Sequence, residues 1–321
     1  MKLTYVLNLL LIFILSSCSE ENPDKPTFTI GKNQFKIQVD GKERIYFVHV
    51  PPAYSHEHET PVVIMFHGTG QSGEQFYNIS GWKEVGDVQN ILTVFPSALS
   101  YCISEDGNTE QTTKWNVIGA NYTYCNGEIP TDDIHFVREI IKQLKENYNV
   151  DSHKIYTVGF SNGGEFAART ALDMSNELAA STSTGGGGAM PRDTTIIPSR
   201  KLPVMLIFGN QDGKILTNLG LSSNASIPMG FDSVYTKYPF LYKVQVDPYI
   251  RCFELNDKNY NLFGDTSSIV YADYYGLSGI PENTFRIVEI KNLQHEYPNG
   301  INHPLNGALH NWEWFKQFKL P

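Results

Sequence analysis

Ser161 is the residue whose surroundings point most directly to covalent chemistry. It lies in Gly159-Phe160-Ser161-Asn162-Gly163, after the apolar, β-rich run Ile155 to Val158 and before a helix-compatible stretch through Arg169. A serine at the apex of so sharp a strand-to-helix turn takes a strained backbone. The residues two positions away must then lack bulk, so that strand and helix can approach. A hydroxyl is a weak nucleophile until a base takes its proton, so the serine needs a histidine and a group to orient it. His295 offers an imidazole in Lys291 to Gly300, after a strand-like run ending at Ile290. Asp212 offers a carboxylate in Gly209-Asn210-Gln211-Asp212-Gly213, directly after the run Leu202 to Phe208.

Serine, aspartate, histidine is the chain order of an α/β-hydrolase triad. Ahead of them, His67-Gly68-Thr69-Gly70 follows the apolar run ending at Phe66, and its glycines let backbone N–H groups turn towards a ligand. The N–H groups of Thr69 and Asn162 are therefore the expected oxyanion donors, each contributing about 3 kcal/mol in comparable sites. His67 precedes the serine, where the order does not want the base, and reads as a structural histidine orienting this loop. Each assignment has a competitor. Asp232 and Asp265 are alternative acids, His303 and the helical His310 alternative bases, and Asp212 also suits a plain turn. Gly185 to Gly188 reads as a permissive loop beside the site, since no Gly-Lys-Ser/Thr follows to bind phosphate.

These residues require a scaffold of buried strands. Pro61 to Phe66, Ile91 to Phe95, Leu202 to Phe208 and Phe285 to Ile290 are apolar runs of the kind buried on both sheet faces. Phe35 to Val50 alternates apolar and polar about Asp40-Gly41, a hairpin with a two-residue turn. Thr131 to Tyr148 carries an apolar stripe and predicts a helix with Thr131 as N-cap, and a last helix spans Asn306 to Phe318. The expected fold is α/β: a mostly parallel central sheet with an antiparallel start and helices on both faces. Residues 216–284, rich in aromatics from Phe231 to Tyr275, form a long insertion between the acid and histidine strands, expected as a cap. Most of those aromatics are expected to be core or packing, and two or three to line a ring-binding cleft.

Residues 1–17 have a positive start, an apolar run from Leu7 to Leu15 and a small-residue site before Cys18. They resemble a bacterial lipoprotein signal peptide. The resemblance implies lipid on Cys18 and a body tethered to the outer membrane or cell surface. Residues 18–34 read as a flexible spacer and 35–321 as the hydrolase domain. A net charge of −9 without a Lys/Arg cluster argues against nucleic acid as a partner. In an oxidising compartment Cys102 and Cys125 are the plausible disulfide, stapling the irregular stretch 99–130 and leaving Cys252 odd. No Cys/His spacing suggests a metal site.

His67 to Phe76, Gly81-Trp82, Phe95-Pro96-Ser97, Asp132 to Phe136, Gly159 to Gly164 and His295 to Gly300 together resemble secreted α/β hydrolases of the polyhydroxybutyrate depolymerase and feruloyl esterase group. The resemblance covers 61–212 well and 285–315 fairly, and places Ser161, Asp212 and His295 on the triad positions. It implies a serine carboxylesterase without cofactor, acting on feruloyl or acetyl esters of plant polysaccharide. A polyester hydrolase, a peptidase of the same fold and a non-catalytic glycan-binding lipoprotein are the alternatives. The sequence departs from the group at Phe208-Gly209, where His-Gly is usual, and at His295-Glu-Tyr-Pro-Asn-Gly300, where His-x-Trp-Pro-Gly is usual.

Overall fold

The computed structural model describes residues 29–105, 107–117, 122–125, 127–186, 196–277 and 283–321. Cys18, its leader and most of the spacer lie outside them, as do Gly187 and Gly188. The fold starts earlier than expected: strand β1 (Gly31–Val39) already pairs with β2 (Lys42–Val50), Gly31 opposite Val50, about the Asp40-Gly41 turn. Strand β3 (Thr60–Phe66) leads through helices α1 (Gly73–Ile79) and α2 (Trp82–Gln89) to β4 (Leu92–Pro96). Residues 99–130 are less irregular than their composition suggests. They contain β5 (Ser100–Glu105), β6 (Asn108–Thr113) and β7 (Thr123–Tyr124), a separate antiparallel sheet with β5 central, and Cys102 is bonded to Cys125 across it.

Helix α3 (Asp133–Asn147) is capped by Asp132 and not by Thr131. The Asp132 carboxylate accepts from the Ile134 and His135 amides at 3.0 and 3.1 Å, while the Thr131 hydroxyl bonds the Tyr101 hydroxyl instead. After it come β8 (Val150–Phe160), α4 (Asn162–Asp173), β9 (Ala180–Thr184) and β10 (Val204–Gly209). Helix α5 (Gly213–Asn218) leads into the insertion, which holds the short helices α6 (Phe231–Lys237), α7 (Pro239–Gln245) and α8 (Asp247–Cys252), then β11 (Leu255–Asp265) and β12 (Ile269–Gly276). Strand β13 (Thr284–Ile290) and helix α9 (Gly307–Phe315) close the chain.

The large sheet runs β1-β2-β4-β3-β8-β9-β10-β13-β12-β11. The six strands from β4 to β13 are parallel, and an antiparallel pair extends each edge. The antiparallel start was expected; the antiparallel end, made from the second half of the insertion, was not. Period-two alternation sends Val62, Ile64 and Phe66 of β3 into one apolar cluster and Val63 and Met65 into the other. The first cluster packs under α3 to α8, the second under α1, α2 and α9. With both faces of the parallel strands covered, chemistry is confined to their carboxyl ends.

Candidate active site

Strand β8 ends at Phe160, and Ser161 follows with φ 53° and ψ −123°, a left-handed backbone that a non-glycine residue adopts only under constraint. The constraint is the close contact of strand and helix. A Cβ on Gly159 would lie 2.0 Å from the Gly163 carbonyl oxygen, and one on Gly163 within 2.4 Å of the carbonyl oxygens of Phe66 and His67. The Gly-x-Ser-x-Gly spacing is thus a packing requirement that leaves the serine hydroxyl facing a cavity of about 670 Å³.

The other two residues reach that hydroxyl from neighbouring strand ends. His295 Nε2 lies 3.0 Å from Ser161 Oγ, and Nδ1 lies 2.9 Å from Asp212 Oδ2. Asp212 is buried and caps α5, its other oxygen accepting from the Lys214 and Ile215 amides at 2.9 and 3.4 Å. Those bonds hold the carboxylate in one orientation, so it fixes the imidazole with N–H towards itself and the lone pair towards Ser161. The competitors lie elsewhere. Asp232 sits in the first turn of α6, and Asp265 accepts from Ser267. His303 bonds the Lys291 carbonyl and the Leu305 amide, and His310 bonds the Tyr271 hydroxyl.

One side chain ties the acid and histidine loops together. Asn210 Oδ1 accepts from the Asn292 amide at 2.7 Å, its Nδ2 donates to the Ile227 carbonyl at 3.2 Å, and its own amide donates to the Ile290 carbonyl. The Gln211 amide donates to the Leu293 carbonyl beside it.

The loop at Thr69 is equally constrained. His67 is fully buried, its Nδ1 2.7 Å from the Gly68 carbonyl and its Nε2 accepting the Ala98 amide at 2.9 Å. Burial lowers its pKa to about 4, so it stays neutral and structural. Trp115 Nε1 donates to the His67 carbonyl, and Asn162 Oδ1 accepts the Trp115 amide at 2.7 Å. Thr69 and Asn162 both line the cavity, and neither backbone amide donates to another group among the described residues.

The walls contain residues that sequence reasoning missed. Glu165, one turn after Ser161, lines the cavity beside Glu105 and Glu110 from the β5-β6 sheet and Lys114, which directly follows β6. The i, i+4 spacing from the serine was a usable signal for Glu165; nothing in the sequence placed Lys114. On the other side, Phe240, Leu241 and Val244 of α7 face the cavity with Leu206 and Phe208 of β10. Of the insertion's named aromatics, only Phe240 lines this cavity; Phe231, Tyr249, Phe253 and Tyr274 are buried in the core. The cap is therefore mainly a packing element with one helix at the rim.

Residues 53–227 match the phospholipase/carboxylesterase family. The chain belongs to that family. The match takes in Ser161 and Asp212 and stops before His295. Among curated relatives, the bifunctional acetylxylan esterase/xylanase XynS20E of Neocallimastix patriciarum is 25% identical over 48% of this chain and 19% of its own length. Feruloyl esterase B of Piromyces equi is 24% identical over 56% of this chain and 31% of its own. The chain thus spans under a third of each of those two relatives. Among solved structures, the acetyl xylan esterase from Aspergillus awamori is similar with TM-score 0.56 at 13% identity, over 88% of this chain and 99% of that one, a likeness of fold.

Proposed function

We propose that the protein is a serine carboxylesterase that removes acyl groups, acetyl or feruloyl, from plant polysaccharide or its fragments. The observation carrying this reading is the hydrogen-bonded row Ser161, His295, Asp212 at 3.0 and 2.9 Å, facing an open cavity. Ser161 Oγ attacks the ester carbonyl while His295 takes its proton. The oxyanion accepts from the Thr69 and Asn162 amides, and His295 returns the proton to the leaving alcohol. Water then enters with His295 again as base, releases the acid and restores Ser161. The relatives named for acetylxylan and feruloyl esters support the substrate class. The lipobox-like leader supports a body anchored through Cys18 outside the cytoplasm.

Purified protein is assayed on acetyl, butyryl and feruloyl model esters beside the Ser161→Ala variant. Expected is hydrolysis of at least one class by the wild type and a loss of more than about 10³-fold in the variant with an unchanged melting temperature. Variant activity above about one per cent would remove Ser161 from the nucleophile role.

A further inference from the structure

The cavity has two unlike walls, and the reaction as derived uses neither. One is apolar, from β10 and α7. The other is carried by the β5-β6 sheet and the first turn of α4, and it presents Glu105, Glu110, Lys114 and Glu165. Lys114 is 2% exposed, ion-paired to Glu105, and holds its ammonium 4.0 Å from the centre of the Tyr122 ring. Its charge is therefore already spent on the protein. Glu165 is half-buried, its amide held by the Ser161 carbonyl at 2.9 Å, within hydrogen-bond reach of Asn162 and near His295. Glu110 is exposed, and Lys214, on the acid side of the cavity, is the other ammonium lining it.

We propose that this wall selects substrate by charge. Glu165 and Glu110 admit esters whose polar part is neutral and hydroxyl-rich, such as a saccharide, and turn away esters carrying a carboxylate or phosphate beside the scissile bond. The inference rests on the esterase reading above and narrows it. Sugar hydroxyls donate well to carboxylates, and such charge-assisted bonds are stronger than neutral ones. Burial pushes the Glu165 carboxyl above its ordinary range, while Asn162 and Lys114 pull it back. In either protonation state it bonds a hydroxyl, and Glu110 adds an exposed carboxyl group to the same wall. Among the described residues an incoming anion finds no uncommitted ammonium on this wall, Lys214 standing on the acid side, and the apolar wall opposite takes hydrocarbon.

The test compares kcat/KM for two matched pairs: 4-nitrophenyl butyrate against 4-nitrophenyl hemisuccinate, and an acetylated methyl xyloside against an acetylated glucuronate. At low salt the neutral member of each pair should win by about tenfold or more. The advantage should shrink at least threefold in a Glu110→Gln, Glu165→Gln double variant. It should also shrink in 0.5 M salt for the wild type, a measurement that needs no variant to fold. Ratios within about threefold of unity, or unmoved by both variant and salt, overturn the proposal. Binding of diethyl succinate against the monoethyl succinate anion to Ser161→Ala protein, read by calorimetry, reports the same preference without turnover. Failure of the esterase reading shows instead as no Ser161-dependent hydrolysis of the neutral esters, and leaves the binding comparison decisive for the wall.

Discussion

Ser161, Asp212 and His295 stand just beyond the ends of three strands buried on both faces, whereas Lys114 and Phe240, across the cavity, stand on a small side sheet and a seven-residue helix. The first region is held by backbone approaches with no slack: added Cβ atoms on Gly159, Gly163 and Gly209 would all come within 2.5 Å of a carbonyl oxygen. The second is a short backbone ladder, braced by the Lys114–Glu105 ion pair and the Cys102–Cys125 disulfide, and a short helix packed by its side chains. The triad residues thus stand on a rigid centre, and the facing walls on attachments that can change without moving the strands.

Four experiments break or sharpen that comparison. Asp212→Asn leaves the loop packed but offers His295 the wrong partner, so kcat should fall about 10⁴-fold for every ester alike. A loss that depends on the acyl group would mean the centre and the walls are not separable.

Glu289 on β13 tests the stability of the same centre. Burial pushes its carboxyl up to about 8, offset in part by the Gly230 amide at 2.8 Å. A raised native pKa means the folded protein holds a proton that the unfolded chain releases above about 4.5. Stability from this group is therefore full at acid pH and lost as pH rises through about 8. Relative to Glu289→Gln, the wild type should lose up to about 4 kcal/mol between pH 5 and 9, read by urea unfolding. Parallel curves would show that Glu289 is solvated.

On the wall side, replacing Cys102 and Cys125 together with serine should cost about 3 kcal/mol, the loop-closure value for a bridge of this span. The variant should hydrolyse a small acetate at near wild-type kcat below its melting temperature; a large fall in kcat would tie the disulfide to the centre. The smallest effect is expected from Phe240→Ala. It should lower kcat/KM about three- to tenfold for a feruloyl or butyryl ester and leave acetyl unchanged, by loss of apolar contact. An equal fall for all three esters would place Phe240 outside acyl recognition.

The same contrast decides what could be read from the sequence. The strained serine, the capping aspartate and the loop histidine were legible because each sits where an apolar run breaks into glycine and polar residues. Strand β9 was not. Ala180-Ser181-Thr182-Ser183-Thr184 has no apolar pattern, yet every residue is buried beside β8. Its two serine hydroxyls bond inside, Ser181 donating to the Ala167 carbonyl at 2.8 Å and Ser183 to that of Gly186 at 3.0 Å, while Thr182 and Thr184 bury theirs with no partner among the described residues. Strand β11 was hidden for the opposite reason. It is an edge strand, exposed along most of its length, so little of its pattern reports burial. Lys114 was placed by contacts distant in sequence, the Gly70 amide on the Thr113 carbonyl and the Trp115 amide on Asn162, and Phe240 by α7 reaching the same cavity as β10, which no local spacing encodes.

The Asn210 side chain makes the acid loop and the histidine loop a single mechanical part. Because one amide group is pinned to both Asn292 and Ile227, a fluctuation that lifts His295 away must carry the Asp212 loop and the root of the insertion with it. Amide exchange at Asn292 and at Ile227, whose N–H bonds the Asn210 carbonyl, should accordingly report one common opening free energy, set by that shared opening and not by the local flexibility of either loop.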